Sequence, residues 1–172
     1  MVRKFITVLL LGCLVATAAI TLADPAVSVR GGNRDRVAVI TAKDFNLKNL
    51  EGKVVLVGFW RGADCVLCSD YITWLTKMQG AFGKEGLIVV AVNEDRDSSA
   101  GVALANSIHP RSQIVLDHNG AMGASYELEG IPSTYLHDRN LNMRYKFVEF
   151  VPTETDTLET AIVDLLKQPY KD

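Results

Sequence analysis

The sequence predicts an α/β fold, a central mixed β-sheet flanked by helices. Two continuous apolar runs, "VVLVGFW" from Val54 to Trp60 and "LIVVAV" from Leu87 to Val92, read as strands covered on both faces. A stretch of helical periodicity lies between them, and a hairpin signal in the second half supplies antiparallel strands.

Taken in order, "VAVI" opens the domain near Val37 as a short apolar run, and "EGK" turns the chain into Val54 to Trp60. Beyond Cys68, Tyr71, Leu75, Met78 and Phe82 recur at helical spacing, which predicts a helix over Leu67 to Phe82, closed by Gly83. A strand, a helix and a returning strand make a βαβ unit, so the two apolar runs should be parallel and central. "SSAGVALANSI" predicts a helix stopped by His109-Pro110, "QIVL" a short strand, and "AMGASYEL" a short helix ending near Gly130. "STYLHD" and "MRYKFVEF" flank the turn Arg139-Asn140-Leu141-Asn142 as a hairpin. Asp156 and Glu159 form a capping pair for a last helix, whose buried face carries Leu158, Ala161, Ile162 and Leu165.

The chain has 172 residues, and its first 23 read as a secretory signal peptide. Arg3 and Lys4 precede an uncharged run from Phe5 to Leu22, and Thr21-Leu22-Ala23 forms a small-x-small cleavage site before Asp24. The run is also long enough to serve, uncleaved, as an N-terminal membrane anchor. "LLGC" around Cys13 is akin to a lipoprotein signal, but the apolar run continues past it. Residues 24–36, "DPAVSVRGGNRDR", form a linker, and 37–172 a single domain. Cleavage removes Arg3 and Lys4 and so moves the net charge from -2 to -4. With no basic block, nucleic acid is excluded as a partner.

Two cysteines remain in the mature chain, Cys65 and Cys68, within "FWRGADCVLCSDY". They sit where the first central strand hands over to its helix, at the carboxyl end of the sheet, where open α/β folds bind ligands. A helix N-terminus favours thiolate, and this spacing puts both sulfurs on one face, which suits dithiol chemistry. Cys65 at the helix edge would attack a disulfide, and Cys68 further in would resolve the mixed disulfide. A structural zinc site needs four ligands, and one pair supplies two. Haem attachment needs a histidine where Ser69 stands. Copper held by Cys65, Cys68 and a distant histidine such as His137 remains open, as do two buried thiols without chemistry. His109, His118 and His137 read as solvated residues near turns or strand ends, and Arg61 and Asp70 as solvated charges or as aids to the thiolate and its proton.

"GKVVLVGFW", the Cys-x-x-Cys pair, "VVAVNED" and "DHNGAMGASYELEGIPSTYLHDRN", in this order, resemble the exported bacterial thioredoxin-like (TlpA-like) thiol:disulfide oxidoreductases of the redoxin family. The resemblance covers Val37 to Asp172. It implies a thioredoxin-like fold, a periplasmic location, and exchange with protein dithiol and disulfide substrates without a cofactor. An uncleaved leader would anchor the protein in the inner membrane. Cys65 and Cys68 would be the catalytic pair, joined as a redox-active disulfide. Pro132 of "GIPSTY" would be cis and face the pair, the Ile131 backbone would pair with an incoming peptide, and Trp60 would stand beside the substrate, although Trp60 and Trp74 also read as core aromatics.

The chain departs from the family's pattern around the pair. Trp60 to Cys65 is one position longer than usual, and Asp64 stands where a second tryptophan is expected. The segment is nearer in length to peroxiredoxin-like redoxins, but Gly58 and Gly62 replace the Pro and the hydroxyl of the peroxidatic pattern, which disfavours a peroxiredoxin-like antioxidant. A metal-handling or binding module on the same fold is the other alternative. Val66-Leu67 replaces the usual glycine-proline, and Tyr71 an acid. With Asp64 beside Cys65 and no donor between the cysteines, the pair is expected towards the reducing end, below about -200 mV.

Overall fold

The computed structural model describes residues 39–108 and 112–170. The leader, the linker, the start of the domain at Val37 and the His109-Pro110 stop lie outside them. The strands are β1 (Val39–Thr41), β2 (Val54–Trp60), β3 (Leu87–Asn93), β4 (Gln113–Leu116), β5 (Ser133–His137) and β6 (Met143–Val148). The helices are α1 (Cys68–Phe82), α2 (Ser98–Ile108), α3 (Ala121–Ser125) and α4 (Asp156–Leu166). All six strands join one sheet in the order β1-β4-β3-β2-β5-β6. β1, β4, β3 and β2 run parallel, and β5 pairs antiparallel with β2 and with β6. The sheet is therefore mixed, and the two apolar runs occupy its centre as a parallel pair.

Every residue of β2 is buried, and the pleat divides them between two cores. Val54, Leu56 and Trp60 pack with Tyr71, Leu75 and Met78 of α1 and Leu158, Ile162 and Leu165 of α4. Val55, Val57 and Phe59 face the other way, onto Val90, Val92, Val115, Met122 and Tyr135. Fully burying an aliphatic side chain of this kind stabilises a fold by about 1.5–3 kcal/mol, so β2 anchors both layers. Gly58 lets α1 lie close to the strand: a Cβ there would come within 2.5 Å of the Tyr71 hydroxyl and 2.9 Å of Leu75 Cδ1.

At the end of the sheet where β2 begins, Arg139 gathers three segments. Its guanidinium donates to the carbonyls of Gly52 (3.0 Å), Glu85 (3.5 Å), Leu166 (3.0 Å) and Gln168 (3.1 Å). The last two end α4, where a cation also meets the negative end of the helix dipole.

Three expectations change. The Asp156–Glu159 capping pair is not formed: Thr155 is the N-cap, without a side-chain bond, and Glu159 accepts instead from Trp74 Nε1 (3.3 Å) and Lys77 Nζ (3.4 Å) of α1. A tertiary contact outcompetes the local cap. The helix after Gly120 stops at Ser125, well short of Gly130, and Glu127 is left-handed at φ 50°. His137 is not a solvated residue: it lies in β5 only 3% exposed, edge-on to the Tyr126 ring. Burial holds its imidazole below the ordinary histidine range, against the pull of a Val55 backbone bond and the Asp138 charge.

Candidate functional site

The buried β2 runs out at Trp60, and the exposed segment Arg61 to Leu67 carries the chain over to α1. Cys65 and Cys68 are joined as a disulfide with Cα atoms 5.4 Å apart. The two sulfurs are unequal in setting. Cys65 is partly exposed and packs only at the margin of the core, whereas Cys68, the first residue of α1, is fully buried. No side chain caps α1, so no competing acceptor sits at the helix N-terminus that favours thiolate. The Arg61 backbone N–H donates to Cys68 Sγ at 3.3 Å. Between the cysteines Val66 stands out 95% exposed, with Leu67 partly exposed beside it.

The Ile131–Pro132 peptide bond is cis. Ile131 and Cys65 line one groove of about 320 Å³, with Arg61, Asp64, Leu128 and Glu129 on its rim. Pro132 is buried and leads into β5, whose Ser133 pairs with Phe59 of β2. The disulfide and the groove thus bring Cys65 together with Cys68 and with Ile131. Trp60 does not join them at the surface: it is fully buried, so the substrate contact expected of it has no exposed surface to be made through. Asp64 is exposed and left-handed at φ 51°, and Asp70 and Arg61 are exposed too.

Beneath the pair lies Tyr71, fully buried, its hydroxyl donating to the Ser133 carbonyl (2.9 Å) and bonded to Thr134 Oγ1 (2.7 Å). Burial holds this phenol well above its ordinary range, so it stays neutral. The copper arrangement is not assembled. His137 pairs with Val55 near the start of β2, roughly 16 Å along the strand from Trp60 at about 3.3 Å per residue. Among the described residues no group of three or more His, Cys, Asp and Glu is placed to hold a metal ion.

Beside the loop that carries Cys65, the carboxyl ends of β2, β3 and β4 surround a polar cavity of about 780 Å³. Glu94 lies half-buried in it. Burial, and then the charge of Asp117, push its carboxyl up to about 8 against the opposing pull of Arg61. Asp117 is committed to α3, accepting from the N–H groups of Met122 (2.7 Å) and Gly123 (3.0 Å). Asp95 accepts from the loop itself, through the N–H groups of Gly62 (2.7 Å) and Ala63 (3.2 Å). Sequence reasoning passes over all three acids, since an acid after a strand reads as solvated. The one available signal is "NED" directly behind an apolar run, at the sheet edge where ligands bind.

The family model described as Redoxin matches residues 37–162. Thiol:disulfide interchange protein DsbE of Pseudomonas aeruginosa is 28% identical over 124 residues, covering 70% of this chain and 66% of that protein. Thiol-disulfide oxidoreductase ResA of Bacillus subtilis is 27% identical over 126 residues, covering 73% and 68%. Protein DipZ of Mycobacterium tuberculosis is 29% identical over 132 residues, covering 72% of this chain and only 18% of DipZ. The chain thus spans just under two thirds of the Pseudomonas relative and less than a fifth of DipZ. Among solved structures, one described as a DsbE from Chlorobium tepidum superposes with a TM-score of 0.67 at 28% identity, over 70% of this chain and 84% of that one. A secreted Mycobacterium tuberculosis disulfide oxidoreductase shares the fold at a TM-score of 0.59 and 17% identity, over 70% and 88%.

Proposed function

The chain belongs to the Redoxin family, and from that premise we propose that it is a thiol:disulfide oxidoreductase of the periplasm, exchanging disulfides with partner proteins through Cys65 and Cys68. The observation that carries this reading is the unequal burial of the joined pair. A partner thiolate can reach Cys65 Sγ in its groove but not the fully buried Cys68. Cys65 is the nucleophile and Cys68 resolves. The groove beside cis Ile131–Pro132 takes the partner's extended segment, with Ile131 offering its backbone and Val66 and Leu67 an apolar edge. DsbE and ResA are named for the same chemistry, which supports the assignment. Export rests on Arg3, Lys4 and the uncharged run to Leu22.

Cysteine variants test it. Cys68→Ser, expressed in an exporting host, should accumulate a mixed disulfide with its partner, resolved on non-reducing gels. Cys65→Ser should accumulate none. Equal trapping by the two variants would overturn the roles, and consumption of peroxide at the rate of thiol exchange would favour the antioxidant alternative.

A further inference from the structure

Three backbone amides follow one another at the exit of β2, and they point at two different acceptors. The Arg61 N–H donates to Cys68 Sγ (3.3 Å), while those of Gly62 and Ala63 donate to the Asp95 carboxylate (2.7 and 3.2 Å). Asp95 also accepts from Asn93 Nδ2 at 2.8 Å, and the residue is 5% exposed. The loop is pinned from its other side as well. Gly62 abuts the first turn of α2 so closely that a Cβ would fall 2.3 Å from Gly101 N. The longer spacing from Trp60 to Cys65 is therefore taken up by an ordered segment, and Asp95 is the one side chain among the described residues that accepts hydrogen bonds from the Gly62 and Ala63 amides.

We infer that Asp95 is a positioning residue for exchange: by gripping Gly62 and Ala63 it holds the Arg61 N–H on Cys68 Sγ, and so sets how readily Cys68 leaves and attacks as a thiolate. This rests on the exchange reading above. When a partner thiolate attacks Cys65 Sγ, a new sulfur–sulfur bond forms there. The Cys65–Cys68 bond breaks, and its electron pair departs on Cys68 Sγ. A second partner thiolate then displaces Cys65, which leaves the partner as a disulfide and this pair as thiols protonated from solvent. In reverse, Cys68 attacks as a thiolate. In both directions charge appears or is held on a sulfur with no water around it, and a fixed N–H donor there stabilises it. The acid is needed because three donors converge on it: an amide would bring one acceptor oxygen and two further donors.

The rate at which dithiothreitol reduces the disulfide reads this step directly. Asp95→Asn should slow it about fivefold, because a poorer leaving thiolate departs more slowly, and Asp95→Ala should slow it further. In a Cys65→Ser background, Asp95→Asn should raise the pH at which the ultraviolet absorbance of the Cys68 thiolate appears. The core variant Ile162→Val lowers stability without touching the loop, and should leave both measurements unchanged. A folded Asp95→Asn protein reduced within twofold of the wild-type rate would overturn the inference, as would equal slowing by Ile162→Val. Should Asp95→Asn not fold, amide exchange in the wild-type protein decides. The Arg61 amide should be protected in both redox states, and free exchange in either rejects the role. Failure of Cys68→Ser to trap any partner, and of the wild-type protein to exchange with one, would count against the function, whereas these measurements on the chain itself would still stand.

Discussion

The two ends of the central sheet are built on opposite terms. Where β2 begins, Arg139 meets four backbone carbonyls, and Asp138 closes the adjoining turn by accepting from the N–H groups of Asn140 and Asn142 (both 3.0 Å). Burial alone would raise the Asp138 carboxyl, but these bonds and the Arg144 guanidinium (3.2 Å) hold it below its ordinary range. Where β2 ends, Glu94 is forced towards its neutral form, Arg61 has no carboxylate within salt-bridge distance among the described residues, and Val66 projects into solvent. The first end pairs its charged groups, although His137 Nδ1 beside it is buried without a partner. The other keeps Glu94 strained and Val66 exposed beside the disulfide.

The largest effect that would sharpen this contrast is expected at the first end. Arg139→Ala removes four hydrogen bonds to carbonyls and should cost about 2–3 kcal/mol, or roughly 8 °C in Tm. Exchange per folded molecule should stay within twofold. A large loss of exchange at unchanged Tm would break the division between the ends.

A smaller effect is expected from Glu94, with a defined sign. Its carboxyl is raised from 4.5 to about 8 in the folded protein, so folding takes up a proton between those values. The stability linked to it is complete below about 4.5 and is lost as pH rises through about 8. Glu94→Gln should therefore match the wild type in thermal melts at pH 5 and exceed it at pH 9 by about 2 °C, a modest gain because the group is only half-buried. Equal melting at both pH values would mean that Glu94 is not strained.

The smallest effect concerns Asp64, exposed on the groove of Cys65. Removing its charge in Asp64→Asn should favour the Cys65 thiolate and make the pair more oxidising. The expected shift is about threefold in the equilibrium with glutathione, or about 15 mV, since solvent screens an exposed charge. A potential left unchanged by the substitution would show that Arg61 already offsets Asp64 at the sulfur.

What was legible in the sequence follows the same division. β2, α1 and β3 were readable because period and apolar length are local properties, and the cysteines because their spacing states its own geometry. The Arg139 staple was not, since an arginine opening the turn "RNLN" gives no sign of the carbonyls that α4 brings to it. Nor was Asp95, whose partners Gly62 and Ala63 lie more than thirty residues away. Glu159 was misread as a local cap because Trp74 and Lys77 approach it only after α1 and α4 have packed together. His137 was misread because the burial of β5 is decided by Val55 and Tyr126, not by its neighbours in sequence.

The disulfide spans a sequence separation of only 3. Closing so short a ring restricts the unfolded chain little: on the loop-closure relation it is worth about 2 kcal/mol, against about 4.7 kcal/mol for a ring of about a hundred residues. The bond is thus a poor architectural tie, and Arg139 binds the segments around Gly52, Glu85 and the end of α4 without its help. A bond of this kind can be opened as a latch is, without taking down the wall that other fastenings hold.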